Sequence, residues 1–420
     1  MLETNDRVDV AGVDWAGVFG WVRVLRGWRM AWGPGKLGVA LLGLVLFYGG
    51  GVLMDAGAVG RGIGPKGGGQ LGASGQMGEG GGVVEMVASD DATRVEEAVV
   101  LGPFGMLWNG WRLAGSEVRA GVLDLRFGRD GVLGGVTGVV GSTVVAWRAW
   151  PVWGTGLAVW GGLIALFVGG VIGRVSAEQA ASGGAGQAGS VGAALRWVGR
   201  MSAWLVLVWV GPAVLVGLLA GGLWAVGWLF AVPGLDVVGG FGYGLMLAAG
   251  VLGTVLLGGL VLGGPMLVVG LAVEGSDGFD VVSRVYHYVV FHFVRYVWCG
   301  LVVVVAGVLG YAVLGVLVGV AMEGVGRLTG APGAGGVVAS EAGTNVGLAG
   351  TGRYAAALVT AWSELLRLGL LAVLVSYGVS AWTWVYLVLR EAADGTGPAG
   401  VDAVLDERRA DDGETGSQEG

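Results

Sequence analysis

Six long apolar runs constrain this chain more than anything else in it: Leu37 to Met54, Thr155 to Gly173, Ser202 to Phe230, Phe241 to Val273, Val297 to Met322 and Ala355 to Leu389. A helix needs about 20 mostly apolar residues to cross the roughly 30 Å hydrocarbon core of a bilayer, and each run meets or approaches that length with few or no charges. Lipid offers no partner to backbone N–H and C=O groups, so only helices or closed barrels can span it. The runs are continuously apolar and do not alternate, which favours helices over a β-barrel. The expected fold is therefore all-α, a polytopic transmembrane helix bundle of about six spans with amphipathic interfacial helices. Runs longer than the minimum, and those holding Pro212 or Pro265, are expected to tilt or kink.

Composition agrees. Of the 420 residues, 54% are hydrophobic and 13% charged, a balance foreign to a soluble domain of this size. The 90 glycines come with 9 prolines and no Gly-X-Y period, which excludes collagen. Cys299 is the one cysteine, so thiol redox chemistry within one chain is excluded too. Basic residues are almost all arginine, Lys36 and Lys66 being the only lysines, and isoleucine is scarce, as a GC-rich coding sequence would produce. The net charge of -7 collects in the last stretch of chain and in one long loop, and reads as solvated-segment charge.

Sidedness follows from the arginines. Six spans starting inside place Arg7, Arg23, Arg26, Arg29 and Lys36, then Arg174, Arg196 and Arg200, then Arg284 and Arg295, then Arg390, Arg408 and Arg409 on the cytoplasmic side. The outer loop Ala231 to Gly240 has no basic residue. Gly131 to Trp147 is uncharged but short, and it closes on Trp147, Arg148 and Trp150, the anchors of an interfacial segment. It is left out of the spans, because counting it would move the Arg174 to Arg200 loop outside. Both termini are expected in the cytoplasm of a cell with this protein in its inner (cytoplasmic) membrane, the first span acting as an uncleaved signal anchor.

The domain organisation expected is a cytoplasmic amphipathic segment over 1–36, a first span over 37–54, an outer loop over 55–150, a five-span bundle over 155–389 and an acidic, disordered tail over 390–420. In the first segment Trp15, Phe19, Val22, Leu25, Trp28 and Trp32 recur at helical spacing between arginines. That pattern suits a helix on an anionic leaflet, or a juxtamembrane extension of the first span. The outer loop opens with a glycine linker, Gly57 to Gly82. Its second part, with Phe104, Leu107, Trp108, Trp111, Val118, Val122 and Leu125, suits one or two short helices against the membrane and no core of its own. A second outer loop, Met322 to Tyr354, is rich in Gly, Ala and Ser.

Motif searches exclude more than they find. Gly62 to Gly67 fits G-x-G-x-x-G, but at this glycine content about four chance matches are expected, and no strand precedes it. The pairs Gly169/Gly173, Gly217/Gly221, Gly259/Gly263 and Gly315/Gly319 permit close helix packing and specify no dimer. His287 and His292, the only histidines, lie about 140° apart on a helix and cannot clamp a metal. No nucleophile-base-acid constellation is visible, so no catalytic residue, cofactor or metal is assigned.

Seven polar residues remain as candidates: Glu364 and Arg367 in the last run, and Glu274, Asp277, Asp280, Arg284 and Arg295 around the fifth span's entry. Ionisable residues within a span are functional candidates by default. Glu364 and Arg367 share a helix face at i, i+3, and either serve a cavity or pair with each other and snorkel. The stretch from Glu274 to Tyr288 reads as a helix start. Ser276 or Asp277 caps it, Asp280 adds charge to the first turn, and Val281, Val282, Val285, Tyr286 and Val289 make an apolar stripe. Arg284, Arg295, Tyr288 and His292 are expected to face headgroups, on an elbow helix spanning 276–296.

The segment Val273-Glu-Gly-Ser-Asp-Gly-Phe-Asp-Val-Val-Ser-Arg-Val-Tyr-His-Tyr-Val289 resembles a signature in a family of uncharacterised multi-pass membrane proteins of planctomycete-type bacteria. Phe19 to Leu37 resembles that family's pre-membrane helix, Phe167-Val-Gly-Gly-Val-Ile-Gly-Arg-Val175 its exit from the second span, and Trp384 to Arg390 with Asp394-Gly-Thr396 its last span and tail. Where such proteins carry Arg-Pro-Trp after the tyrosine-rich helix, this chain has Arg295-Tyr-Val-Trp298, which predicts a straighter elbow. The resemblance implies an inner-membrane location and a shared fold, and transfers no activity.

The reading that follows is a non-enzymatic envelope or membrane-organising component, the alternative a small-molecule permease or transporter subunit. The partners expected are the lipid bilayer and other proteins within the membrane, not nucleic acid.

Overall fold

The computed structural model describes residues 20–59, 102–182, 190–231, 234–275, 277–328 and 351–396. Among these the fold is all-α. A short 3-10 turn, Gly20–Leu25, leads into α1 (Arg26–Ala31), followed by α2 (Pro34–Val59), α3 (Pro103–Leu123), α4 (Val132–Ala149), α5 (Pro151–Ala181), α6 (Val191–Gly227), α7 (Leu235–Glu274), α8 (Gly278–Phe291), α9 (Phe293–Leu328) and α10 (Thr351–Asp394). The glycine motif at 62–67, Ser276 and the tail beyond 396 lie outside the described residues. Among the described residues, seven helices are long and apolar enough to cross a membrane: α2, α4, α5, α6, α7, α9 and α10. This is a multi-pass membrane protein. The helix added to the six expected spans is α4.

The chain forms two units, Leu46–Gly162 and the remainder, with α2 and α5 each contributing to both. In the smaller unit, α3 and α4 form a helical hairpin. Its limbs approach closely because Gly110 lies against Ser142, and Gly135 against Ala114 and Val118. Trp111 Nε1 donates to Thr143 Oγ1 at 3.0 Å. The hairpin starts where Asp55 of α2 caps α3, its two carboxylate oxygens accepting the Phe104 and Gly105 N–H groups at 2.7 Å each. Phe47 and Tyr48 pack on Phe104, Trp108 and Trp111 along the same side. It finishes at Trp150, one residue before α5, whose Trp153 lies against Gly57. The hairpin therefore begins and ends at one end of the α2–α5 pair.

In the larger unit, α6, α7, α9 and α10 have 37, 40, 36 and 44 residues. At 1.5 Å per residue these are about 54–66 Å long, far beyond a roughly 30 Å core. Burial divides α7 and α10 lengthwise. On α7 Phe241 is 97% exposed and Leu245 79%, whereas Met266, Leu267 and Leu271 are fully buried. On α10 Tyr354, Leu358 and Trp362 are exposed, whereas Ala381, Val385, Tyr386 and Leu389 are buried. Apolar side chains thus face outward along one length, suited to lipid, and pack into a protein core along the other.

That core takes in the N-terminal helix. Trp28 stacks on Tyr377 with ring centroids 4.3 Å apart, Met30 Sδ accepts from Trp384 Nε1, and Ser376 Oγ donates to the Ala31 carbonyl at 2.9 Å. Of the stripe expected to rest on a leaflet, Trp28 is covered by α10, whereas Leu25 and Trp32 remain exposed together with Arg26 and Arg29. Trp15 and Phe19 fall outside the described residues.

Only His292 separates α8 from α9, at φ -115 and ψ 33, so the elbow is a single-residue break and no proline-driven turn. A sharper reversal precedes it, where Gly275 ends α7 at φ 57, a left-handed conformation that glycine adopts without strain.

Candidate functional site

The polar side chains of the larger unit collect at the end where α2 begins and α5, α7 and α10 finish. Glu274, the last residue of α7, is buried and accepts the Tyr386 hydroxyl at 2.8 Å. Arg390 Nε lies 3.3 Å from the same carboxylate and Arg284 3.7 Å from its other oxygen. Arg284 in turn donates to Asp280 at 3.0 Å, one turn back on α8. Tyr288 donates to Asp394, the last residue of α10. Burial, then the Asp394 carboxylate beside it, holds the Tyr288 hydroxyl above its ordinary pKa. Arg23 pairs with Glu391, which fastens the N-terminal turn to the same end. Arg174 pairs with Glu178, donates to the Ala272 carbonyl at 3.1 Å and lies over the Trp197 ring.

Of the seven sequence candidates, three meet here: Glu274, Asp280 and Arg284. Asp277 occupies the N-cap position of α8 in extended backbone, but its side chain makes no capping bond. Arg295 is exposed on α9. The stripe on α8 is confirmed, with Val281, Val285 and Val289 buried against the core. Tyr288 departs from expectation: it is buried and bonded to α10, because the Asp394 carboxylate offers its hydroxyl a partner that headgroups were expected to supply.

Glu364 and Arg367 stand apart. Arg367 donates to Glu364 at 2.6 Å, with side-chain exposures of 34% and 13%. Along α10 the pair lies roughly 20–24 Å from Ser380 and farther still from Arg390, at 1.5 Å per residue. A groove of about 580 Å³ between α6 and α7 is lined by apolar groups, with Tyr243 and Thr254 among them, and neither Glu364 nor Arg367 reaches it.

A residue that sequence reasoning counted only as a flanking charge proves to be the most unusual. Lys36, in the first turn of α2, is 1% exposed. Its ammonium donates to Gln179 Oε1 at 2.7 Å and to Ser176 Oγ and Ser380 Oγ at 3.3 Å each, and the two hydroxyl oxygens are 3.0 Å apart. Three helices, α2, α5 and α10, thus meet around one buried cation whose described partners are all neutral. A serine beside a lysine can also serve as a nucleophile, but both serines are fully buried within their helices. The signal in the sequence was slight: one of two lysines in an arginine-dominated chain, placed just after Pro34-Gly35.

Among the described residues, no three His, Cys, Asp or Glu side chains gather to hold a metal ion. No protein family, curated protein or solved structure matches the chain.

Proposed function

We propose that this chain is a non-enzymatic, membrane-organising component of the cell envelope. It lies in the inner membrane with both termini and the charged end in the cytoplasm, and it belongs with the planctomycete-type membrane proteins that it resembles. The observation that carries this reading is the framework joining Glu274, Arg390, Tyr386, Arg284, Tyr288 and Asp394. It fixes α8 and the ends of α7 and α10 to one another, and Arg23 adds the N-terminal turn. A rigid end of this kind suits a platform that holds neighbouring membrane proteins in place, because its exposed residues keep a fixed arrangement. The arginines assigned to that side supply its orientation.

The test compares cells lacking the chain with cells carrying wild type or the Glu274→Gln/Arg390→Met variant. The reading expects altered envelope shape and altered crosslinking among membrane neighbours, with solute uptake unchanged. Loss of uptake of one solute, with envelope and crosslinks normal, would overturn it.

A permease or transporter subunit is the second reading, favoured by Lys36 as a buried cation shared by three helices. In that case Glu364→Gln with Arg367→Gln, or Lys36→Met alone, abolishes flux in proteoliposomes at an unchanged amount of folded protein.

A further inference from the structure

We propose that Lys36, Ser176, Gln179 and Ser380 form a binding site for a small monovalent anion of about chloride's size. The site stands on these residues alone and does not depend on the envelope reading.

Charge carries the argument. At this end of the bundle Glu274 faces Arg390 and Arg284, Arg174 faces Glu178, and Arg23 faces Glu391. Lys36 is more deeply buried than any of these arginines, yet its described partners are two hydroxyls and a carboxamide. Neutral oxygens replace the hydrogen bonds that water would make to the ammonium, but not the countercharge that a low-dielectric interior demands. Glu178 is the neighbouring carboxylate on α5, and it is engaged by Arg174.

The surrounding groups can supply the rest of an anion shell. Each serine hydroxyl is both donor and acceptor and rotates to suit. Ammonium and two O–H groups then converge on the point that the Gln179 oxygen now fills. A monovalent anion leaves the cluster neutral, whereas a dianion would leave a buried negative charge.

Access lies on the Gln179 side. Gln179 is half-buried while both serines are fully buried. Gly33 carries no side chain where a Cβ would come 3.2 Å from Lys36 Cε and 3.9 Å from Gln179 Nε2. The Gln179 oxygen, nearest to the ammonium at 2.7 Å, occupies the place that the anion takes when this side chain swings outward.

The test uses the full chain in nanodiscs of neutral lipid, with chloride replacing gluconate at constant ionic strength. Lys36 and Lys66 are the only lysines, so ε-¹⁵N-lysine spectra contain two side-chain signals, and Lys66→Arg assigns them. The Lys36 signal should shift saturably with chloride while the unfolding temperature rises. Ser380→Ala should weaken apparent affinity roughly tenfold, and Gln179→Ala, which removes the competing oxygen, should tighten it a few-fold. Lys36→Met should remove the chloride dependence; if that variant fails to fold, the opposite shifts of the other two carry the test. A Lys36 signal indifferent to chloride, an unchanged chloride response in Lys36→Met, or shifts of Ser380→Ala and Gln179→Ala in the same direction would each overturn the site.

Discussion

Arg390 Nε of α10 lies 3.3 Å from the Glu274 carboxylate that ends α7, and both side chains are buried. Breaking such a pair by removing one partner strands the other charge, at about 3–5 kcal/mol, whereas replacing both with apolar groups is much less damaging. Arg284 and the Tyr386 hydroxyl stay beside Glu274 when Arg390 is lost, so Arg390→Met should lower stability toward the low end of that range, and Glu274→Gln/Arg390→Met by less than the sum of the single changes. Tyr386→Phe, which takes away one hydrogen bond to the carboxylate, should lose about 1.5–3 kcal/mol. Denaturant titration of each variant in nanodiscs checks the order.

The contact between Trp28 and α9 makes a sharper steric prediction. A Cβ built on Gly310 would fall 1.8 Å from the Trp28 ring, so Gly310→Ala forces that ring off Tyr377. The expected result is release of α1, read as faster tryptic cleavage at Arg26 and Arg29. Trp28→Ala should produce the same cleavage without any clash, losing about 2–4 kcal/mol through the cavity it leaves. Resistance to cleavage in both variants would mean that α1 is held by Ser376 and Trp384 alone.

How much of this was legible in the sequence depends on the range over which each feature is decided. Hydrophobic run length located six of the seven helices able to span, and a period near 3.6 located the buried face of α8, because both are local properties. Glu274, Asp280 and Arg284 were legible together because one turn and one short helix connect them. Arg390, Tyr386 and Asp394 are brought to them by tertiary packing, for which a single sequence carries no local mark. Trp28 was visible as part of a stripe, but what covers it was not: lipid and an apolar helix make the same demand on a side chain. Lys36 was misjudged for a related reason, since position relative to a span says nothing of whether a flanking lysine reaches water or is enclosed by neighbouring helices.

Asp55 gives a test confined to the smaller unit. Both of its carboxylate oxygens are used at the start of α3, whose first-turn N–H groups otherwise have no helical partner. Asp55→Ala should cost about 1–2 kcal/mol, and Asp55→Asn, which keeps one acceptor, about half of that. Hydrogen exchange at Phe104 and Gly105 should accelerate in both variants while exchange in the middle of α4 stays slow.

The hairpin of α3 and α4 alters what a topology map must measure. Gly128, in the turn between the two limbs, has open space around its Cα, so a cysteine is accommodated there. In a Cys299→Ser background, cysteines at Gly72, Gly128, Ala185 and Ser417 report the linker, the hairpin tip, the α5–α6 loop and the tail. Because the hairpin enters and leaves at one end, Ala185 and Ser417 should label from the cytoplasmic side wherever the tip lies. α3 exposes Arg112 and Glu117, which a hydrocarbon environment strongly disfavours. The tip is therefore expected on the same side as Gly72, with α4 resting at the interface in spite of its apolar length. Labelling of Gly128 from the side opposite to Gly72 would instead make both limbs spans, and still leave the bundle's orientation intact. Only labelling of Ala185 or Ser417 from outside would invert the charged end, and with it the cytoplasmic platform on which the proposed function rests.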